Sequence, residues 1–156
     1  MANKKFTHKN GMVDISAKDV TKRTARAGAV VRFSKNAFTS LIKDKSPKGN
    51  VLETAKVAGI MAAKNTPQII PMCHPLELSK VKIDFELNPH KNEVRVFSEV
   101  VCLGRTGVEM EALAAVTVSA LTVYDMMKWA DKGIRISDVK LLSKTGGKSG
   151  DFHAGK

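Results

Sequence analysis

With 156 residues and 43% hydrophobic content, the chain is long enough for one domain with a real core and cramped for two. It carries 26 Lys and Arg against 15 Asp and Glu, and the formal charge of +11 favours an anionic partner such as a phosphorylated ligand, a nucleic acid or a membrane surface. Cys73 and Cys102 are too few for a disulfide scaffold and stand at no close metal-ligand spacing, which predicts a reducing cytoplasm and no structural metal.

In chain order, Met1 to Asn10 is basic with no apolar block behind it. It therefore reads as a solvated arm, covering about residues 1–12, and not as a secretory signal. Ala29 to Phe33 is a short apolar strand, and Ser34 can cap a helix running through Phe38, Leu41 and Ile42. After a charged turn at Lys43 to Gly49, Asn50 is the N-cap of a second helix ending at about Asn65. Its apolar face (Val51, Leu52, Ala55, Ala58, Gly59, Ala62) is small enough for close packing. Pro67, Pro71 and Pro75 exclude regular helix interior and leave Met72, Cys73 and His74 in a stiff turn.

Val81, Ile83, Phe85 and Leu87 alternate with charged residues, and after Asn88 to Asn92 the run Val94, Val96, Ser98, Val100 does the same, predicting a β-hairpin with one buried face. Val108 to about Asp131 is the longest helix, free of Gly and Pro. Its uncharged stretch Ala112 to Tyr124 is shorter than the roughly 20 residues a bilayer needs, so a core helix is expected and no membrane partner. Ile134, Ile136, Val139, Leu141 and Leu142 form a last strand, and the glycine-rich Lys144 to Gly150 ends the ordered chain, with about 144–156 as a flexible tail. These elements sum to a single α+β domain over residues 1–156, helices covering an antiparallel sheet.

Asp125 and Lys128 are one helical turn apart on one face. A surface ion pair explains them adequately, but closing an apolar helix could also desolvate them and bring their pKa values toward neutrality. Glu109 and Glu111 fall in the first turn of the same helix, where carboxylates suit the dipole; about 200° of rotation separates them, so at most one should face a given pocket. Glu111 and Asp125 share a face but lie about 21 Å apart along the axis, which favours a site assembled between subunits. Cys73 and His74 lack companions for a zinc site. The Lys144 to Gly150 run ends like a phosphate loop, yet Leu142 stands where the first glycine is required and no helix follows. Gly104-Arg105-Thr106-Gly107 precedes a helix N-terminus, a natural anion position opposed by the two glutamates.

The segments Met12-Val13-Asp14, Ala58 to Lys64, Cys73-His74-Pro75-Leu76, Gly104 to Leu113, Leu121 to Met126 and Gly146 to Gly150 together resemble the cyclic pyranopterin monophosphate synthase family, also called molybdenum cofactor biosynthesis protein C. The resemblance covers nearly the whole chain. It implies a ferredoxin-like subunit, a homohexamer built as a trimer of dimers, and active sites at subunit contacts. It implies a lyase that converts 3′,8-cyclo-7,8-dihydroguanosine 5′-triphosphate to cyclic pyranopterin monophosphate and diphosphate, with no cofactor required; Mg²⁺ is an optional companion of the triphosphate, able to screen its charge. Asp125, Lys128 and Lys48 then correspond to the catalytic acid/base residues. Met72, Cys73, His74, Glu109, Met110 and Glu111 correspond to substrate-contacting segments, with Arg23, Lys144 and Lys148 toward the triphosphate. Asn50, Lys56 and Met127 depart from the usual pattern without removing any of these residues. The competing readings are a basic nucleic-acid-binding module, against which the 5% aromatic content and the absence of a recognition signature weigh, and a non-catalytic assembly subunit.

Overall fold

The computed structural model describes residues 11–155, so the arm expected over Met1 to Asn10 lies outside the described residues. The elements are β1 (Thr21–Arg32), α1 (Lys35–Ile42), α2 (Val51–Lys64), α3 (Thr66–Ile69), β2 (Leu78–Asn88), β3 (Glu93–Gly104), α4 (Glu109–Met127), β4 (Arg135–Thr145) and β5 (Phe152–His153). The strands form one sheet in the order β2-β3-β1-β4-β5, with every neighbouring pair antiparallel. Up to β4 this is the split β-α-β arrangement of ferredoxin-like folds. Helix α4 packs on β1, β3 and β4, and α2 packs on α4 and β2.

Alternation in β1 sets the inner face. Ala25, Ala27, Ala29 and Val31 are buried, while Lys22, Arg26 and Arg32 project to solvent. The strand begins at Thr21, eight residues before the expected start, because ladder pairing with Val101 to Gly104 carries its polar first half. Val94, Val96, Ser98 and Val100 form the buried face of β3, as their alternation predicts. Glu93, 2% exposed, sits between the Nε groups of Arg32 and Arg95 at 3.3 and 3.2 Å, so its charge is paired within the sheet.

The predicted caps hold: Ser34 Oγ accepts from the Ala37 amide, and Asn50 Oδ1 accepts from the Glu53 amide at 2.9 Å. The proline segment is not wholly irregular, since α3 takes Pro67 in its first turn, where a missing N–H costs nothing. Helix α4 stops at Met127, four residues short of the expected end. Asp131 closes the turn that follows, accepting from the Gly133 amide at 2.7 Å and from the Ser34 amide at 3.1 Å. The glycine-rich segment does not end the ordered chain: it turns at Gly146 and Gly147, both at φ +91°, and returns as β5 against Ser143 and Lys144.

The small-residue face of α2 permits the close contact that the sequence suggests. Ser119 in α4 donates to the Ala55 carbonyl at 2.9 Å, and a Cβ on Gly59 would meet Ser119 Oγ at 2.1 Å and the Ala115 carbonyl at 2.9 Å. One of these obstacles is backbone and cannot swing aside. Gly59→Ala should therefore lower stability by about 1–3 kcal/mol, read as a shifted denaturant midpoint at unchanged m-value.

Candidate active site

Three chain segments meet at the N-terminal end of α4: the start of β1, the turn leaving β3 and the end of β4. Thr21 pairs with Gly104 and Thr24 with Thr145, so the strand ladder itself brings them together. Between them lies a cleft of about 450 Å³ lined by Lys18, Arg23, Arg105, Lys144 and Lys148, with Asp19 and Glu109 as its acidic members. Arg23 is only 9% exposed, and its guanidinium donates to the carbonyls of Gly104 (3.4 Å) and Gly146 (3.3 Å). Among the described residues no carboxylate pairs with it, so a buried cation faces the cleft with its charge uncompensated. Glycine is favoured at 147 by its φ of +91°, and any Cβ there would also displace the Arg23 guanidinium, 1.6 Å away at Nη1.

A second pocket of about 250 Å³ shares Thr106, Gly107 and Glu109 with this cleft and adds Met72, Cys73, His74, Met110 and Glu111. The two glutamates, expected on different sides of the helix, both line it. Glu109 opens the helix, and its carboxylate folds back over Gly107, where a Cβ would meet Glu109 Oε2 at 1.9 Å. Backbone rotation fixes only where a side chain starts, and a long side chain in a first turn can reach back. Glu111 is 3% exposed, and burial, reinforced by the charge of Glu109, raises its carboxyl above the usual range. Burial and Glu111 likewise raise the Cys73 thiol, which keeps it protonated and a poor nucleophile. Lys144 Nζ stands at the junction, 3.4 Å from Glu109 Oε1 and 3.3 Å from Ser149 Oγ.

The other expected residues gather at the opposite end of α4. Ser46 Oγ donates to the Met126 carbonyl at 3.1 Å, which docks the 43–49 turn and brings Lys48 Nζ to 2.6 Å from Asp125 Oδ2. Lys128 Nζ lies 2.9 Å from Asp125 Oδ1. The sequence allowed for desolvation here, but the three side chains are about half exposed. Hydrogen bonds from Lys128 and then Lys48 hold the Asp125 carboxyl down to about 2, and Asp125 in turn raises Lys128. In one chain, these pairings hold Asp125 and Lys128 ionised at neutral pH.

Neither pocket is lined by Asp125, Lys48 or Lys128. Sixteen residues of helix separate Glu109 from Asp125, about 24 Å along the axis. The fold thus unites Arg23, Lys144, Lys148, Glu109, Glu111, Met72, Cys73, His74 and Met110 in one trough and the Asp125 trio in another place. Sequence reasoning passed over Lys18, Asp19 and Arg105 as cleft residues. Only Arg105 carried a signal, as part of the loop before the helix.

Known proteins match this chain closely. The model of the MoaC family matches residues 12–147. A cyclic pyranopterin monophosphate synthase of Desulforapulum autotrophicum is 51% identical over 96% of this chain and 94% of its own. Proteins of the same name from Rhodospirillum rubrum (52% identity; 92% and 86%) and Parvibaculum lavamentivorans (48%; 99% and 99%) are similar over comparable lengths.

The lowered Asp125 pKa makes the pairing pH-dependent in a defined direction. It contributes stability fully above about pH 4, the unfolded value, and loses it as pH falls through about 2. On the dissociated single chain, a carboxyl-carbon NMR titration should give Asp125 a midpoint of about 2. Lys128→Ala should raise that midpoint more than Lys48→Ala does, because the Lys128 hydrogen bond is the larger cause.

Proposed function

The chain belongs to the MoaC family, and from that premise we propose that it is a cyclic pyranopterin monophosphate synthase acting in molybdenum cofactor biosynthesis. Its substrate is 3′,8-cyclo-7,8-dihydroguanosine 5′-triphosphate, and its products are cyclic pyranopterin monophosphate and diphosphate. The observation that carries this reading is the trough itself: a cationic cleft around a buried Arg23, which has no carboxylate partner among the described residues, adjoins a pocket holding two carboxylates.

A guanine-derived ring offers N–H donors, and Glu109 and Glu111 supply acceptors for them. The triphosphate lies toward Arg23, Lys144 and Lys148, whose charges stabilise diphosphate as it leaves. Cyclic phosphate formation needs a substrate hydroxyl to attack the α-phosphorus while the bond to the β-phosphoryl oxygen breaks. A base must take the hydroxyl proton, and the ring opening and closure before it also move protons. Lys48, Lys128 and Asp125 have the chemistry for those transfers, as ammonium donors and a carboxylate that can orient them. No redox cofactor enters, and Mg²⁺ serves as a counter-ion of the triphosphate.

The distance along α4 supports a site shared between two subunits, one contributing the trough and its neighbour the Asp125 trio, within a hexamer built as a trimer of dimers. Covering by a neighbour would supply the missing desolvation. The nucleic-acid reading of the basic charge gains nothing from the three relatives named above, which carry the synthase name. Free Cys73 and Cys102 suit a cytoplasmic reaction.

Purified protein given the cyclised dihydro-GTP should release diphosphate, and Asp125→Asn or Lys48→Ala should cut kcat by at least about 100-fold. Mixing inactive Glu111→Ala with inactive Asp125→Asn tests the sharing of the site. Exchange of subunits should restore about a quarter of wild-type activity, because half the pairs are mixed and each has one intact site. Activity that stays at zero after verified subunit exchange contradicts a shared site.

A further inference from the structure

Residues 11–19 run beside both pockets without regular secondary structure, and among their side chains only Ile15 is even half-buried. Apolar burial therefore does little to hold this strap in position. Local bonds shape it: the Ser16 amide donates to Asp14 Oδ1 at 2.9 Å, and the Lys18 amide donates to the Ile15 carbonyl at 3.1 Å. Neither bond ties it to the rest of the fold.

Two side chains do, and each belongs to a pocket wall. His74 Nε2 lies 2.9 Å from the Val13 carbonyl. Arg105 Nη1 donates to two strap carbonyls, Ser16 at 2.7 Å and Lys18. One guanidinium nitrogen has two hydrogens, so this pair of bonds uses both. Just beyond the clip, Lys18 and Asp19 form part of the cleft lining.

We infer that Arg105 is a positioning residue, whose clip on the Ser16 and Lys18 carbonyls fixes the strap so that Lys18 completes the cationic wall of the cleft. This rests on the cleft's role as the triphosphate site. Although Arg105 is itself a cation in the wall, the nitrogen aimed at the strap is committed to backbone oxygens. Its contribution to binding passes through Lys18. Losing the clip frees a segment that little else restrains, while the chemistry at the Asp125 trio, at the other end of α4, is untouched.

Hydrogen exchange followed by mass spectrometry on the full chain, combined with steady-state kinetics, tests this. In Arg105→Ala, the amides of Ser16 and Lys18 should exchange about tenfold faster, KM should rise about five- to tenfold, and kcat should stay within about twofold. Lys18→Ala, an exposed change that spares the fold, should raise KM similarly without altering exchange. The double variant should be no worse than Arg105→Ala alone, since both act through one contact. Unchanged strap exchange in Arg105→Ala with a raised KM would identify Arg105 as a direct ligand contact and overturn the proposal. Additive KM effects in the double variant, or a loss confined to kcat, would also overturn it. If the wild-type chain fails to turn over the cyclised dihydro-GTP, the proposed reaction falls, while unchanged or accelerated exchange still decides the clip.

Discussion

Helix α4 crosses the sheet with a dry middle, and this constraint arranges everything else. Ala112, Ala115, Val116, Ala120 and Val123 are at most 0% exposed and pack on three strands and on α2. The helix is long and apolar enough by length and composition to span a membrane, but here half of that span is buried in protein. With no room for charge along this seam, polar chemistry is confined to the two ends. The trough forms at one and the Asp125 trio at the other, separated by about 24 Å of helix. A small ligand cannot touch both in one chain, and the proposed shared site rests on that length together with the proposed roles of both ends.

The two ends solve the problem of charge in opposite ways. At the trough, Arg23 is buried against Gly146 and Gly147 and held by backbone carbonyls, with no carboxylate partner among the described residues, and Glu111 is buried beside Glu109. Both arrangements are costly in the free chain, and the substrate proposed above, an anion carrying ring N–H donors, has the chemistry to relieve them. At the far end, Asp125, Lys48 and Lys128 compensate one another in half-exposed positions, where such pairs add little to stability. One end holds its charges buried and incompletely compensated, and the other holds them paired and half exposed. The strap clipped by His74 and Arg105 belongs to the binding end and forms its least buried wall.

Where local chemistry decides structure, the sequence was legible. Ser34 and Asn50 cap the helices they were expected to cap, the β2–β3 hairpin follows its alternation except at Leu87, which is exposed, and the small face of α2 meets Ser119 closely. Less legible were features created by pairing. The polar half of β1 and the return strand β5 have no apolar alternation of their own, and each exists because a neighbouring strand offers a ladder. Rotation per residue also misled at Glu109, whose side chain folds back over Gly107 to join Glu111.

The sequence by itself determined the α+β class, the family resemblance, the helical pairing of Asp125 with Lys128 and the distance from that pair to Glu111. These depend on residue identity and on the fixed rise of a helix. Only the tertiary structure decided that Lys48, brought in by the Ser46 contact, completes the Asp125 cluster in an exposed state, and that Arg23 lies buried, with no carboxylate partner among the described residues, in the cleft that Lys144 also lines. Those outcomes depend on which segments meet and how much water they exclude. Burial and charge compensation are properties of the assembled neighbourhood, and no spacing along the chain encodes them.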